Sequence, residues 1–144
     1  MRAALVEARR GGDEGEVPVG AVIAIGDAVV GAAHNRPIAL SDPTAHAEVL
    51  AIREASRKVG NYRLPEATLY VTVEPCVMCC GAIVNARLAR VVFGATDAKA
   101  GAVESVYRLL DDGRLNREVI VTGGVLAEEC GALLKEFFRA RRGP

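Results

Sequence analysis

The sequence has no long apolar run, no net charge and no secretory leader, and each absence excludes a class of protein. No apolar stretch approaches the roughly 18 residues that a membrane-spanning helix requires, which predicts a soluble protein with no membrane partner. The N-terminal MRAALVEARRGG lacks the apolar core and cleavage site of a secretory signal, which predicts a cytoplasmic location. Lys plus Arg and Asp plus Glu balance at 18 each, so any nucleic-acid interface must be local.

The length of 144 residues predicts one domain, residues 1–144, large enough to bury a core without disulfide bonds. Of the four cysteines, Cys76, Cys79 and Cys80 lie within five residues, and Cys130 stands apart near the C-terminus. Such clustering is poor geometry for a disulfide framework. In a reducing compartment it favours metal or redox chemistry.

Apolar periodicity and turn residues predict strands that alternate with helices, which is typical of a sheet with helices packed on its faces. Gly11-Gly12 should end the first helix, and Gly26-Asp27 should turn a hairpin between the first two strands. The predicted strands are 19–25, 28–34, 67–73, 90–95 and 118–123. The predicted helices are 2–10, 42–58, 76–86, a short one near 106–112, and 127–141.

One of the two histidines, His46, lies two residues before Glu48 at the head of the helix that Asp42-Pro43 is predicted to cap. Thirty residues later, Cys76 and Cys79 form a C-x-x-C motif directly after a proline. A helix N-terminus lowers the pKa of a thiol and favours the thiolate that metals bind. One imidazole and two thiolates suit Zn²⁺, and three ligands leave the open position of a catalytic site.

The carboxylate of Glu48 is the natural partner of such an ion, because it can take a proton from a zinc-activated water and return it to the substrate. The combination H-x-E…P-C-x-x-C is the signature of zinc-dependent nucleobase deaminases. Taken singly, the motifs also suit a helix cap, a redox pair or half a zinc ribbon. A structural four-ligand site that recruits Cys80 or Cys130 is the remaining alternative. Cys80 would strain it, and Cys130 fits a small core residue.

Beyond these motifs, the chain resembles the bacterial tRNA-specific adenosine deaminases of the cytidine deaminase superfamily nearly end to end. HAE and PCxxC alone mark only the superfamily, which also acts on cytosine, guanine and free nucleosides. The narrower resemblance rests on the other segments. Together the segments are EVPVGAV, HNRPI, DPTAHAE, NYRL, LYVTVEPCVMC, RVVFGA, GVLAEEC and FFRARR.

The resemblance implies hydrolytic conversion of adenosine to inosine at the wobble position of the anticodon of an arginine tRNA. It implies a three-layer α/β/α fold with a five-stranded mixed sheet, and a homodimer that binds the anticodon stem-loop across both subunits. His46, Cys76 and Cys79 would hold Zn²⁺ while Glu48 moves protons. The alternative within the enzyme class is a deaminase of a free base or nucleoside, such as guanine or cytosine. A non-catalytic zinc-dependent RNA-binding module is the third reading, and the unliganded Glu48 argues against it.

The same resemblance implies that Asn35, Val19, the backbone at Ala47, and Asp97 contact the substrate nucleotide. Asn35 offers a donor and an acceptor to a purine edge, although a turn residue before Arg36-Pro37 explains it equally well. Asp97 is otherwise an ordinary loop acid.

The C-terminal FFRARR supplies the best local basic patch, in which Arg139, Arg141 and Arg142 are candidates for contacts to the RNA backbone. Basic residues at a helix C-terminus also complement the helix dipole, so both explanations stand. The segment GATDAKAGAVES, residues 94–105, differs from the usual sequence of the family. An arginine and a threonine that are usual there are missing, and Glu104 stands where small residues are usual. If that loop contacts RNA, the exchange reduces its positive charge.

Overall fold

The computed structural model describes residues 1–115 and 117–143, which form one five-stranded sheet flanked by helices. Among these residues, no helix is long and apolar enough to cross a membrane. The strands are β1 (Gly20–Ile25), β2 (Ala28–His34), β3 (Thr68–Val73), β4 (Arg90–Ala95) and β5 (Ile120–Thr122). The helices are α1 (Arg2–Asp13), α2 (Pro37–Leu40), α3 (Ala47–Val59), α4 (Val77–Asn85) and α5 (Ala127–Arg142).

The sheet is mixed, with strand order β2-β1-β3-β4-β5. Strand β1 pairs antiparallel with β2 and β3, whereas β3, β4 and β5 run parallel. The first two strands are joined at Gly26, whose positive φ of 57° suits a tight hairpin. The predicted hairpin and all five predicted strands are confirmed, each within two residues at either end.

Helices cover both faces of the sheet. Helices α1 and α5 pack on one face, and α3 and α4 pack on the other. Gly20 allows the close approach of α1, because a Cβ there would overlap the Ala4 carbonyl oxygen. The fully buried side chains of Ile23, Leu69 and Phe93 lie in the core. The three-layer α/β/α architecture is therefore confirmed.

Two predicted helix boundaries are wrong for tertiary reasons. Helix α1 continues through Gly11 to Asp13, because Gly11 is buried against His34 and its lack of a side chain leaves room for β2. Helix α3 begins at Ala47 instead of following Asp42. The Asp42 carboxylate accepts hydrogen bonds from the backbone N–H of Thr44 at 2.8 Å and from its hydroxyl at 2.7 Å, so it stabilises a turn before the helix.

The predicted helix near 106–112 is also wrong, because that segment forms turns. The N–H groups of Val106 and Tyr107 donate to the carbonyl of Gly101, and Leu109 donates to Ala102, which folds the chain back on the preceding loop. The short α2 escaped prediction although Pro37 occupies its first position.

Candidate active site

His46, Cys76 and Cys79 come together at the N-terminal ends of α3 and α4. His46 is the N-cap residue of α3, Cys76 is the N-cap residue of α4, and Cys79 lies in its first turn. The Nδ1 atom of His46 lies 3.6 Å from the Cys76 sulfur and 3.5 Å from the Cys79 sulfur, and the three potential ligand atoms lie within 4.8 Å of one another.

This geometry fits a tetrahedral zinc ion. Zinc bonds of about 2.05 Å to nitrogen and about 2.3 Å to sulfur, at the tetrahedral angle, separate the two ligand atoms by about 3.6 Å. The distances from His46 to both sulfurs match that separation. The three side chains can therefore share one metal ion without rearrangement of the helices.

Electrostatics prepare Cys76 for a cation, whereas the hydrogen bond to Cys76 and burial raise the pKa of the Cys79 thiol. A hydrogen bond from the Cys79 thiol, together with one from His46, lowers the pKa of Cys76 to about 3 despite partial burial. The hydrogen bond to Cys76 in turn raises the pKa of His46. Cys76 is therefore a thiolate at neutral pH, which is the form that binds zinc.

The other two cysteines belong to the core. Cys80 is buried, its sulfur lies 3.9 Å from the Pro75 carbonyl oxygen, and burial raises the pKa of its thiol to about 12. Cys130 is buried against Gly94, where a Cβ would overlap its sulfur. Within residues 1–115 and 117–143, the cluster that could hold a metal ion consists of His46, Cys76 and Cys79 alone. The described residues thus offer three ligands and not the four of a structural zinc site.

Glu48 lies beside the ligands in a cavity of about 690 Å³. Its side chain is buried, and burial raises the pKa of the carboxyl group. His46 and Cys76 line the same cavity, with Val19, Asn35 and Asp97 on other walls. A cavity of this size accommodates a nucleobase, and the raised pKa suits a carboxyl group that exchanges protons near neutral pH.

Asn35 is fixed by the start of α3. Its side-chain oxygen accepts a hydrogen bond of 2.8 Å from the backbone N–H of Ala47, and its own N–H donates to the Val19 carbonyl at 3.1 Å. Because a backbone N–H can only donate, the atom facing Ala47 must be the amide oxygen, which leaves the NH₂ group of Asn35 for the cavity. Ala47 itself is fully buried, with its N–H already paired to Asn35.

Asp97 lies in the loop after β4, which lines the cavity. Its carboxylate accepts hydrogen bonds from the N–H groups of Lys99 at 3.0 Å and Ala100 at 3.2 Å. Its own N–H donates to Glu74 at 3.0 Å. Asp97 thus organises a turn in the cavity wall.

Two buried carboxylates near the cavity escaped the sequence analysis. Glu16 accepts hydrogen bonds from the N–H groups of Ile38 at 3.2 Å and Ala39 at 2.8 Å, which caps α2 beside Asn35. Glu74 accepts several N–H groups of the loop after β4. Burial raises the pKa of Glu74, but the hydrogen bonds, led by that from Glu104, outweigh it and bring the pKa to about 2. Its place directly before Pro75-Cys76 was the available signal.

Two of the three C-terminal arginines, Arg141 and Arg142, line a groove of about 400 Å³ beside the cavity, together with Lys99 and Phe138. The Arg141 guanidinium donates to the Gly15 carbonyl at 2.5 Å and lies 4.4 Å from the centre of the Phe137 ring. Arg142 donates to the Phe138 carbonyl at 3.4 Å. Phe138 is 44% exposed and also borders the main cavity, whereas Arg139 is exposed elsewhere on the helix.

Comparison with known proteins agrees with this geometry. Residues 1–142 match the family of MafB19-like deaminases. A tRNA-specific adenosine deaminase of Haemophilus influenzae is 50% identical over 99% of this chain and 83% of its own length. A solved structure from work on A-to-I editing by tRNA:A34 deaminases at the wobble position of transfer RNA superposes with a TM-score of 0.90 at 45% identity, over 93% of this chain and 97% of the other.

A guanine deaminase from Nitrosomonas europaea shares the fold at a TM-score of 0.81, over 93% of this chain and 80% of its own, but at only 26% identity. The sequence similarity thus favours the tRNA-specific branch over the free-base branch. The chain therefore belongs to the deaminase family that contains the bacterial tRNA-specific adenosine deaminases.

Proposed function

We propose that the protein hydrolyses the wobble adenosine of a tRNA anticodon to inosine and releases ammonia. The observation that carries this function is the buried Glu48 carboxyl group beside the cluster of His46, Cys76 and Cys79 in one cavity, within a chain that is 50% identical to a tRNA-specific adenosine deaminase. His46, Cys76 and Cys79 would hold zinc, which supplies Lewis-acid activation of water at neutral pH.

Glu48 performs the proton transfers of this reaction. Its carboxylate takes one proton from the attacking water and delivers it to the purine ring. It then takes the second proton from the hydroxyl group now on the ring carbon and delivers it to the amino group, which leaves as ammonia. Burial supports this role, because it raises the pKa of the carboxyl group above its ordinary value and so favours the protonated form that can donate to the substrate. The walls of the cavity exclude bulk water and hold the adenine flipped out of the anticodon loop.

Asn35 orients the base in this proposal, because its NH₂ group is left to face a purine nitrogen. We expect Asn35→Ala and Asn35→Asp each to raise the KM for the stem-loop about tenfold, with a smaller change in kcat. Asn35→Asp keeps the acceptor for the Ala47 N–H, loses the donor and adds a negative charge. A wild-type KM for Asn35→Asp would show that the side chain serves Ala47 alone.

The function is tested by incubating purified, zinc-loaded protein with an anticodon stem-loop that carries a wobble adenosine, and measuring inosine. Parallel reactions contain the same stem-loop with guanosine at that position, free adenosine, guanine, cytosine and cytidine. Turnover confined to the adenosine stem-loop supports the proposal. Turnover of a free base instead keeps the zinc chemistry and replaces the substrate.

The tRNA partner is supported by a local basic surface in a chain of zero net charge. The groove of Lys99, Phe138, Arg141 and Arg142 adjoins the cavity, so it can receive phosphates and a base next to the flipped nucleotide. Arg139 would add a contact further along the helix.

The same proposal places the enzyme in the cytoplasm, where tRNA is modified. It also takes residues 1–144 as one domain.

A homodimer is part of the proposal. A groove on the outer side of α3 and α4 is lined by Val49, Ile52, Ala82 and Tyr62, with Arg53 and Arg57 among its polar lining residues, and Tyr62 is 70% exposed. A second copy of the chain would cover this apolar surface. Sedimentation at micromolar concentration should give the mass of two chains.

We expect Tyr62→Glu to shift the protein to a monomer, because a charge would be buried in the contact. The control is Val29→Glu, which places the same charge at an exposed position of the hairpin, on a different element. A wild-type monomer, or a Tyr62→Glu variant that remains as dimeric as the control, contradicts this interface.

A further inference from the structure

We propose that Glu74 is a positioning residue that fixes the substrate-facing wall of the cavity to the segment carrying Cys76. The inference rests on the proposed function for the identity of the substrate. The hydrogen bonds of Glu74 are within the chain and do not depend on which substrate the protein binds. Glu74 is 3% exposed and directly precedes Pro75 and Cys76, so its backbone is part of the strand-to-helix connection that delivers a metal ligand.

The carboxylate gathers donors from a single loop. Its Oε1 atom accepts the N–H of Asp97 at 3.0 Å and the hydroxyl of Ser105. Its Oε2 atom accepts the N–H groups of Val103 at 3.1 Å, Glu104 at 2.8 Å and Ser105 at 2.9 Å. One side chain therefore satisfies four backbone N–H groups and one hydroxyl, all from residues 97–105.

Only an ionised carboxylate meets this demand. It is an acceptor through both oxygens, and hydrogen bonds to a charged acceptor are stronger than those between neutral groups. A glutamine would turn an NH₂ group toward donors on one side and leave them without an acceptor. An alanine would leave four N–H groups unsatisfied, two of them at the buried or half-buried Val103 and Asp97.

The loop held in this way is a wall of the cavity. Thr96, Asp97 and Lys99 line the same cavity as His46. The attachment extends beyond Glu74, because the N–H of Ala102 donates to the Pro75 carbonyl at 2.8 Å.

The loop and the carboxylate are also closely packed. A Cβ at Gly101 would overlap the carboxylate of Glu74, so the absence of a side chain there lets the loop fold around it. The connection from β3 to α4 thus carries the candidate metal ligand Cys76 and also holds the loop that forms the substrate-facing wall. Release of Glu74 should loosen the wall while the cysteines stay in place.

The test compares Glu74→Gln with the control Glu66→Gln, which makes the same change at an exposed position before β3. We expect Glu74→Gln to raise the KM for the stem-loop about tenfold, to change kcat less than about threefold, and to retain zinc. Amide hydrogen exchange should accelerate at residues 97 and 103–105. The control should match the wild type in all four measurements.

Unchanged exchange in a folded Glu74→Gln variant overturns the inference, and so does a lowered kcat with an unchanged KM. If that variant does not fold or does not retain zinc, Ser105→Ala tests the inference in its place, because it removes one hydrogen-bond donor and leaves the Glu74 carboxylate unchanged. It should raise KM about threefold and speed exchange at residues 103–105, and wild-type values for both overturn the inference. Should the wild type fail to act on the stem-loop, the proposed function falls, while the exchange measurement still tests Glu74.

Discussion

Replacing Glu48 by glutamine should lower kcat on the anticodon stem-loop about 1,000-fold with no loss of zinc. Proton transfer by a positioned side chain contributes on the order of 100- to 10,000-fold to a reaction rate. Glutamine keeps the shape of glutamate but cannot take up and release a proton in the reaction. The substrate should still bind, because the cavity walls and the cluster of His46, Cys76 and Cys79 are unaffected. The defect should therefore appear in kcat and hardly in KM.

The fold should tolerate this substitution. Burial raises the pKa of the Glu48 carboxyl group, which means that the folded chain disfavours the ionised form, and a neutral isostere removes that cost. Circular dichroism, thermal unfolding and zinc content check the fold, and inosine formation under single-turnover conditions checks the chemistry. Glu66→Gln serves as the control for a general effect of removing one carboxylate. A Glu48→Gln enzyme with wild-type kcat would exclude the proton transfer assigned to this residue.

The sheet could be predicted well from the sequence, because each strand has a local signal in its own residues. Runs of Val and Ile bounded by turn residues marked all five, and the hairpin at Gly26 has the predicted form. The wrong helix boundaries depend on partners distant in sequence. Gly11 continues α1 because His34 packs against it, and no local pattern contains that contact. The segment 106–112 has helical periodicity, but it hydrogen-bonds to residues 101 and 102 instead.

The residues of the candidate site likewise differ in whether a local sequence pattern reveals them. His46, Glu48, Cys76 and Cys79 could be proposed from the sequence, because zinc hydrolysis uses those residue types and their spacing can be seen along the chain. Glu74 was not found, because a buried acid that accepts loop N–H groups has no spacing rule. Its role depends on where residues 97–105 return to the sheet, 23 to 31 positions later.

Cys79→Ala should abolish zinc binding and activity, whereas Cys80→Ala, one residue further along the same helix, should retain both. Cys79 supplies one of the three candidate ligands, which are its own sulfur, the Cys76 sulfur and a nitrogen of His46, and two ligands hold zinc far more weakly than three. The sulfur of Cys80 instead lies near the Pro75 carbonyl, outside the cluster. Both side chains are buried and both variants lose one sulfur atom, so the cost in packing is matched at about 1–2 kcal/mol.

Metal analysis and thermal unfolding separate the two variants. The wild type and Cys80→Ala should carry about one zinc ion per chain and lose thermal stability when a chelator is added, because a ligand bound only to the folded state stabilises it by about 4 kcal/mol at 1,000 times its Kd. Cys79→Ala should carry little zinc and give the same unfolding temperature with and without chelator. Zinc lost from Cys80→Ala instead would mean that Cys80 is a ligand, and the open coordination position that the hydrolytic mechanism requires would then be closed.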